Sequence, residues 1–276
     1  MDRNCKADKA PFPEAGTEAL QTNYPQPVSF TVDEVRYHVI PDRHRKQVAI
    51  DGTTDMKVRE LAIPPTVCHG DTDYAVTTIS PLAFARLSRL RIIQLPDSIE
   101  EIGRHAFFAC TQLKRLFIPA STVSIGVRAF ACCEKLTDIQ VDRGNLIYLS
   151  DEGLLYGNGG KTLLCCPSRR QGHYAIPDGV TTLADSAMAG CEQLTAITLP
   201  ASIVTIGECA FFQCRRLTSI TCLTVVPPPI SFSEMIEVNR VMCTVHVPKA
   251  AVDSYRAAEV WNEFAIMGDA DDYPEF

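Results

Sequence analysis

A fixed 23-residue period constrains this chain more than any other feature. The phrase Ile102, Gly103, Ala106, Phe107, Cys110, Leu113 returns 23 residues later as Ile125, Gly126, Ala129, Phe130, Cys133, Leu136. It recurs as Leu183, Ala187, Met188, Cys191, Leu194 and as Ile206, Gly207, Ala210, Phe211, Cys214, Leu217, with a degenerate first copy in Ile79, Ala83, Phe84, Leu87, Leu90. Each copy runs on into an alternating apolar segment that ends near proline: Leu90, Ile93, Leu95, Pro96; Leu113, Leu116, Ile118, Pro119; Leu194, Ile197, Leu199, Pro200. Period-two alternation predicts a strand with one buried face. A unit this short cannot bury its own apolar face, so the copies must stack into one continuous core. The sequence therefore predicts a mainly β solenoid with short helical or irregular turns, built from five copies between about Pro64 and Cys222.

The period is interrupted between Asp142 and Ile176. There Leu146–Leu149, Leu154–Tyr156 and Thr162–Cys165 read as short strands. They are separated by the hairpin-turn signals Asp151-Glu152-Gly153 and Asn158-Gly159-Gly160. The interruption at 142–176 is expected to extend a sheet edge. Residues 1–27 carry four prolines and few apolar residues and are expected to form a flexible leader. Residues 28–63 read as capping strands, 64–222 as the solenoid, 223–267 as a C-terminal cap and 268–276 as a solvated acidic tail. A cap is required at each end, because a bare terminal repeat exposes apolar area and strand edges.

Together these residues resemble the BspA-like, or Treponema-type, leucine-rich-repeat family. The insertion Leu149-Ser150-Asp151-Glu152-Gly153-Leu154-Leu155-Tyr156 is similar to the family's. So are the lead-in Val28–Ile63 and the end segment with Pro227-Pro228-Pro229, Val245-His246-Val247-Pro248-Lys249, Val252, Tyr255, Trp261 and Phe264. Met188 departs from the usual phenylalanine, Leu87 from the cysteine, and Asp142 stands in the proline phase. The resemblance implies a right-handed, curved leucine-rich-repeat solenoid. It also implies a cell-surface or secreted location and a part in adhesion or host interaction.

Composition narrows the function classes. A formal net charge of −7 and a pI near 5.4 argue against a nucleic-acid partner, which needs a concentrated basic surface. The local run Arg43, His44, Arg45, Lys46 reads as a solvated turn between strands. No stretch of apolar residues is long enough for a membrane-spanning helix. Met1–Gly16 has no apolar stretch of the secretory-signal kind, so the chain reads as cytoplasmic or as numbered from a trimmed form.

The twelve cysteines could serve disulfides, metal or catalysis. Cys110, Cys133, Cys191 and Cys214 share one repeat phase, which predicts core positions beside Phe107, Phe130, Met188 and Phe211. The pairs Cys132-Cys133 and Cys165-Cys166 are adjacent, and no CxxC exists to start a zinc site. Gly157-Asn158-Gly159-Gly160-Lys161-Thr162 fails as a phosphate-binding loop. Leu155 stands where that motif needs glycine, and a strand follows where it needs a helix. The histidines at 38, 44, 69, 105, 173 and 246 fall in scattered places without a recurring nucleophile. No cofactor, metal site or catalytic residue is expected, and the chain reads as non-enzymatic.

A solenoid binds through the broad face made by stacking equivalent positions. Here the outward positions of the strands are Ile92 and Gln94, Arg115 and Phe117, Asp138 and Gln140, Ala196 and Thr198, Ser219 and Thr221. Within that set Ile92, Gln94, Arg115, Phe117, Asp138, Gln140, Thr198 and Thr221 are the candidate partner-binding residues. Phe117 and Ile92 stand out as apolar anchors for a protein or matrix ligand. Tyr148 and Tyr156 are second candidates. The alternatives are a structural spacer and a carbohydrate-binding component of a surface assembly, and a monomer is the favoured state.

Overall fold

A computed structural model describes residues 28–41, 45–230 and 242–270. The leader at 1–27, Arg43 and His44, and residues 271–276 lie outside the described residues. The chain opens with β1 (Ser29–Val32), β2 (Val35–Val39) and β3 (Gln47–Thr53), an antiparallel meander. It continues through β4 (Glu60–Ala62), β5 (Thr66–His69) and β6 (Thr72–Ile79), and β6 lies parallel to β3. The first block of repeats then supplies β7 (Ile92–Gln94), β8 (Glu101–Ile102), β9 (Arg115–Ile118), β10 (Ser124–Ile125) and β11 (Asp138–Val141). Longer strands stack on one side, where β4 pairs β7 and β9 pairs β11. Short β8 and β10 extend the β3–β6 sheet on another.

Each repeat is one coil of strand, corner, short strand and irregular turn. The turns stack through backbone bonds one coil apart: Phe84 N to Ala106 O at 2.9 Å and Phe107 N to Ala129 O at 2.8 Å. The phenylalanine phase forms an internal column, with ring centroids of Phe84 and Phe107 5.5 Å apart and those of Phe107 and Phe130 5.8 Å apart. The cysteine phase is buried beside it, and its thiols have a partner the sequence did not disclose. Cys110 Sγ donates to Phe84 O at 3.1 Å, Cys133 Sγ to Phe107 O at 3.2 Å and Cys214 Sγ to Met188 O at 3.3 Å. A small apolar residue with a weak donor thus satisfies a carbonyl of the preceding coil.

The insertion forms β12 (Leu149–Asp151), β13 (Leu154–Gly157) and β14 (Thr162–Cys165). Leu146, Ile147 and Tyr148, expected in its first strand, lie outside it. Asn145 captures their turn: its Oδ1 accepts the N–H groups of Ile147 and Tyr148, and its Nδ2 donates to Pro119 O and Thr122 O. A side chain that satisfies the local backbone in this way competes with strand pairing. The two expected hairpin turns are present, with positive φ at Glu152, Gly153, Asn158 and Gly159.

β14 then pairs in parallel with β16 (Thr182–Leu183), which pairs with β18 (Thr205–Ile206), so the insertion is continuous with the second block of repeats. The strand side of that block is β15 (Gln171–Ala175), β17 (Gln193–Leu199), β19 (Ser219–Cys222), β20 (Thr244–His246) and β21 (Ala265–Met267), all parallel. β13 is buried on both faces and divides the interior. Leu154 and Tyr156 enter the core of the second block, whereas Leu155 enters the core of the first. Arg128 reaches across this seam to Glu208 at 3.2 Å.

The C-terminal end carries a 3-10 turn at Lys249–Ala251, the short α1 (Val252–Ala257) and a second 3-10 turn at Trp261–Glu263. Tyr255, Trp261 and Phe264 are buried against the last coil, and Trp261 Nε1 donates to Pro228 O at 2.8 Å. The acidic stretch expected to be solvated from 268 is tied down at its start. Asp269 bonds His246 at 2.8 Å, and buried Ala270 donates to Val247 O at 3.1 Å.

Candidate functional site

The strand side places the candidate residues in two rows. Register aligns Glu60 with Ile92 and Arg115 with Asp138, and it aligns Ala62 with Gln94 and Phe117 with Gln140. The 23-residue period carries the first row on from Ile92 to Arg115 and the second from Gln94 to Phe117. Ile92 and Phe117 therefore sit on adjacent coils as diagonal neighbours, within reach of one partner side chain. Buried Ile93, Leu116 and Ile139 on the opposite faces of these strands lock them to the core.

Among the described residues, neither the insertion nor a flanking loop covers the two apolar residues. Ile92 is 45% exposed and Phe117 is 42% exposed. Gln94, Arg115 and Gln140 are exposed around them, and Asp138 is half-buried with its Oδ2 accepting from Gln140 Nε2 at 2.7 Å. A phenylalanine fixed on a rigid strand is preorganised for contact, since little side-chain freedom is left to lose on binding.

The second block behaves differently. Thr198 and Thr221 occupy the outward phase but are only 9% and 4% exposed, so the candidate surface does not extend to them. Their short side chains lie low in the row that register runs from Ala175 through Thr198 and Thr221 to His246. His173 Nε2 also bonds Thr198 Oγ1 at 2.9 Å. Strand alternation showed which way these residues point, but not what stands beside them.

Tyr148 and Tyr156 are packing residues. The Tyr148 hydroxyl accepts the Ile125 N–H at 2.8 Å, standing where the next coil's backbone would be, and the buried Tyr156 hydroxyl bonds that of Tyr174 at 3.1 Å. The cysteine phase is chemically quiet. Burial pushes the thiols of Cys110 and Cys214 up to about 12, which keeps them protonated and poor nucleophiles at neutral pH. His38, Asp51 and Ser80 come together in the N-terminal sheet, with both His38 Nδ1 and Ser80 Oγ 2.8 Å from Asp51 Oδ1. The serine hydroxyl is thereby committed to the carboxylate rather than to the imidazole, the reverse of a nucleophile and base pair.

Comparison with known proteins finds no match among curated sequences. Several solved structures are similar. One is a leucine rich cell surface protein from Faecalibacterium prausnitzii, 17% identical, with a TM-score of 0.49 over 88% of this chain and 94% of that one. A leucine rich repeat protein of T. pallidum is 20% identical, with a TM-score of 0.42 over 87% and 99%. The pneumococcal vaccine antigen PcpA is 13% identical, with a TM-score of 0.39 over 88% and 99%. The family model described as the BspA type leucine rich repeat region matches residues 71–154 and 168–241 in six copies, one more than the five recognised in the sequence. The match covers more than half of the chain, and the chain belongs to the BspA type leucine rich repeat family.

Proposed function

We propose that this chain is a non-enzymatic, cell-surface or secreted binding protein whose partner, a protein or matrix component, docks on the strand face of the first repeat block. The observation that carries this reading is the pair Phe117 and Ile92, both more than two-fifths exposed on a rigid sheet whose opposite face is core. Interface energy concentrates in a few large side chains near the centre of a patch, ringed by polar neighbours. Arg115, Gln94, Gln140 and Asp138 form that ring here. Surface location and a role in adhesion are what family membership suggests, and the absence of any helix long and apolar enough to cross a membrane among the described residues is compatible with either location.

The test is a binding screen of the purified protein against extracellular-matrix proteins and a glycan array, run in parallel with Phe117→Ala and Thr221→Ala. A hit weakened about tenfold by Phe117→Ala and unchanged by Thr221→Ala supports the reading, tenfold being roughly 1.4 kcal/mol of an anchoring contact. A hit indifferent to Phe117→Ala places binding elsewhere, and no hit at all favours a structural spacer.

A further inference from the structure

Six cations border the same stretch of strand face. Arg59, Arg91 and Lys114 each stand one residue before the outward row of β4, β7 and β9. Arg91 N donates to Arg59 O at 2.7 Å and Lys114 N to Arg91 O at 3.3 Å, so their stems are one strand spacing apart, about 4.8 Å. Arg89 and Lys135 begin the corresponding segments, and Arg115 stands on the face itself, in register with Asp138. All six are exposed. None enters an ion pair among the described residues, and Lys135 reaches only Gln112 Oε1 at 2.9 Å.

This concentration runs against the composition. The chain carries a net −7, yet six cations border these strands against Glu60, Glu134 and Asp138, with Asp151 and the Arg170-paired Glu152 at the far edge beside β11. In the second block the phase of Arg91 and Lys114 is occupied by Thr195 and Thr218. There Arg215 is ion-paired with Glu192 at 3.6 Å, and Arg216, like Lys135, reaches a neutral glutamine, Gln193 Oε1 at 2.8 Å. On the first block, exposed cations without an ion pair therefore border the exposed apolar pair Ile92 and Phe117. Like charges one strand spacing apart repel, and an anion laid along the row relieves that repulsion while being steered to it.

We infer that the segment docking here is an acidic stretch of polypeptide that also carries a bulky apolar or aromatic side chain. The inference rests on the strand-face reading and specifies the chemistry of its partner. Arginine forks match carboxylates bidentately, and Ile92 and Phe117 receive the apolar residue. A sulfated polysaccharide would satisfy the charges but leave both apolar residues uncovered, which is why the polypeptide is favoured.

The test measures binding to three immobilised polymers: a random copolymer of glutamate and tyrosine, polyglutamate, and heparin. Wild type is compared with Phe117→Ala and with a triple variant Arg91→Glu, Lys114→Glu, Arg115→Glu, after circular dichroism melting has shown each variant folded. The expected result is that the copolymer binds most tightly, that raised salt weakens it, and that the triple variant loses about tenfold or more. Phe117→Ala should lose severalfold on the copolymer and nothing on polyglutamate. Undiminished copolymer binding by the triple variant overturns the acidic-partner inference. So does heparin binding that exceeds the copolymer's and ignores Phe117→Ala, which would make the ligand a sulfated glycan. Copolymer binding lost in the triple variant but unaffected by Phe117→Ala instead overturns the apolar-anchor reading on which the inference rests.

Discussion

Gly103, Gly126 and Gly207 share one phase of the repeat, and a single distance explains all three. A Cβ on Gly103 would lie 2.5 Å from Pro81 N, one on Gly207 would lie 2.6 Å from Asp185 N, and one on Gly126 would collide with Arg104 N. In each case the obstacle is rigid backbone of the preceding coil. In the first coil of each block the phase is filled by Ser80 and Ala184, so the backbone behind those two positions, Ile50 and Leu163 at hydrogen-bond distance, accommodates a Cβ. Gly126→Ala should therefore cost about 1 to 3 kcal/mol through forced separation of coils. Ala184→Gly should cost no more than about 1 kcal/mol, mostly in backbone entropy. Denaturant titration of the two variants checks this ordering, and equal losses would contradict it. The glycine phase was legible from the period alone, but its reason was not, because the spacing between coils is a property of the stack. The cysteine phase was similar: its burial could be read from the repeat, whereas the bond from the Cys110, Cys133 and Cys214 thiols to the carbonyl of the preceding phenylalanine or methionine is a property of the stack, and Cys191, beside the insertion, turns to Cys166 O and Pro167 O instead.

At the scale of elements, the 142–176 insertion separates what local pattern can and cannot foresee. Its hairpin turns were plain from Glu152-Gly153 and Asn158-Gly159, since those residues tolerate the left-handed backbone a tight turn demands. The strand expected over Leu146–Leu149 starts only at Leu149, because Asn145 offers its side chain to the backbone of the coil, a competition that apolar alternation does not register. The result is a well-anchored turn that leaves Leu146 94% exposed. Asn145→Ala removes two donated and two accepted bonds and should cost about 1 to 3 kcal/mol. Hydrogen exchange should show the Ile147 and Tyr148 amides opening faster while those of Phe107 and Phe130 are unchanged. Unaltered exchange at Ile147 and Tyr148 would mean the turn is held by other contacts. The strand face divides in the same manner: alternation identified every outward residue, yet only neighbouring coils determine that Phe117 is open and Thr221 is not.

Over the whole molecule, stacking makes stability a sum of local units coupled to their neighbours, and β13 splits that sum. Phe107 belongs to the core of the first block and Phe211 to that of the second, with Leu155 and Leu154 turned to opposite sides between them. Phe107→Ala should cost about 3 to 5 kcal/mol, as the loss of a buried ring with a residual cavity. Combined with Phe211→Ala the losses should add within about 0.5 kcal/mol, whereas Phe107→Ala with Phe130→Ala should depart from additivity because the rings stack. Chemical denaturation of the single and double variants distinguishes the cases, and strong coupling across β13 would show one undivided core. The functional account depends on the same division, since the apolar anchors and five of the six bordering cations lie on the first block, with Arg59 just before β4. The most direct test of it is the alkylation rate at single introduced cysteines, Phe117→Cys against Thr221→Cys, read at each site by peptide mass spectrometry in the native protein. The account predicts labelling at 117 at least about tenfold faster than at 221, the latter requiring local opening of the structure. Comparable rates at the two sites would contradict a face that is open at Phe117 and closed at Thr221 and would remove Phe117 as its anchor.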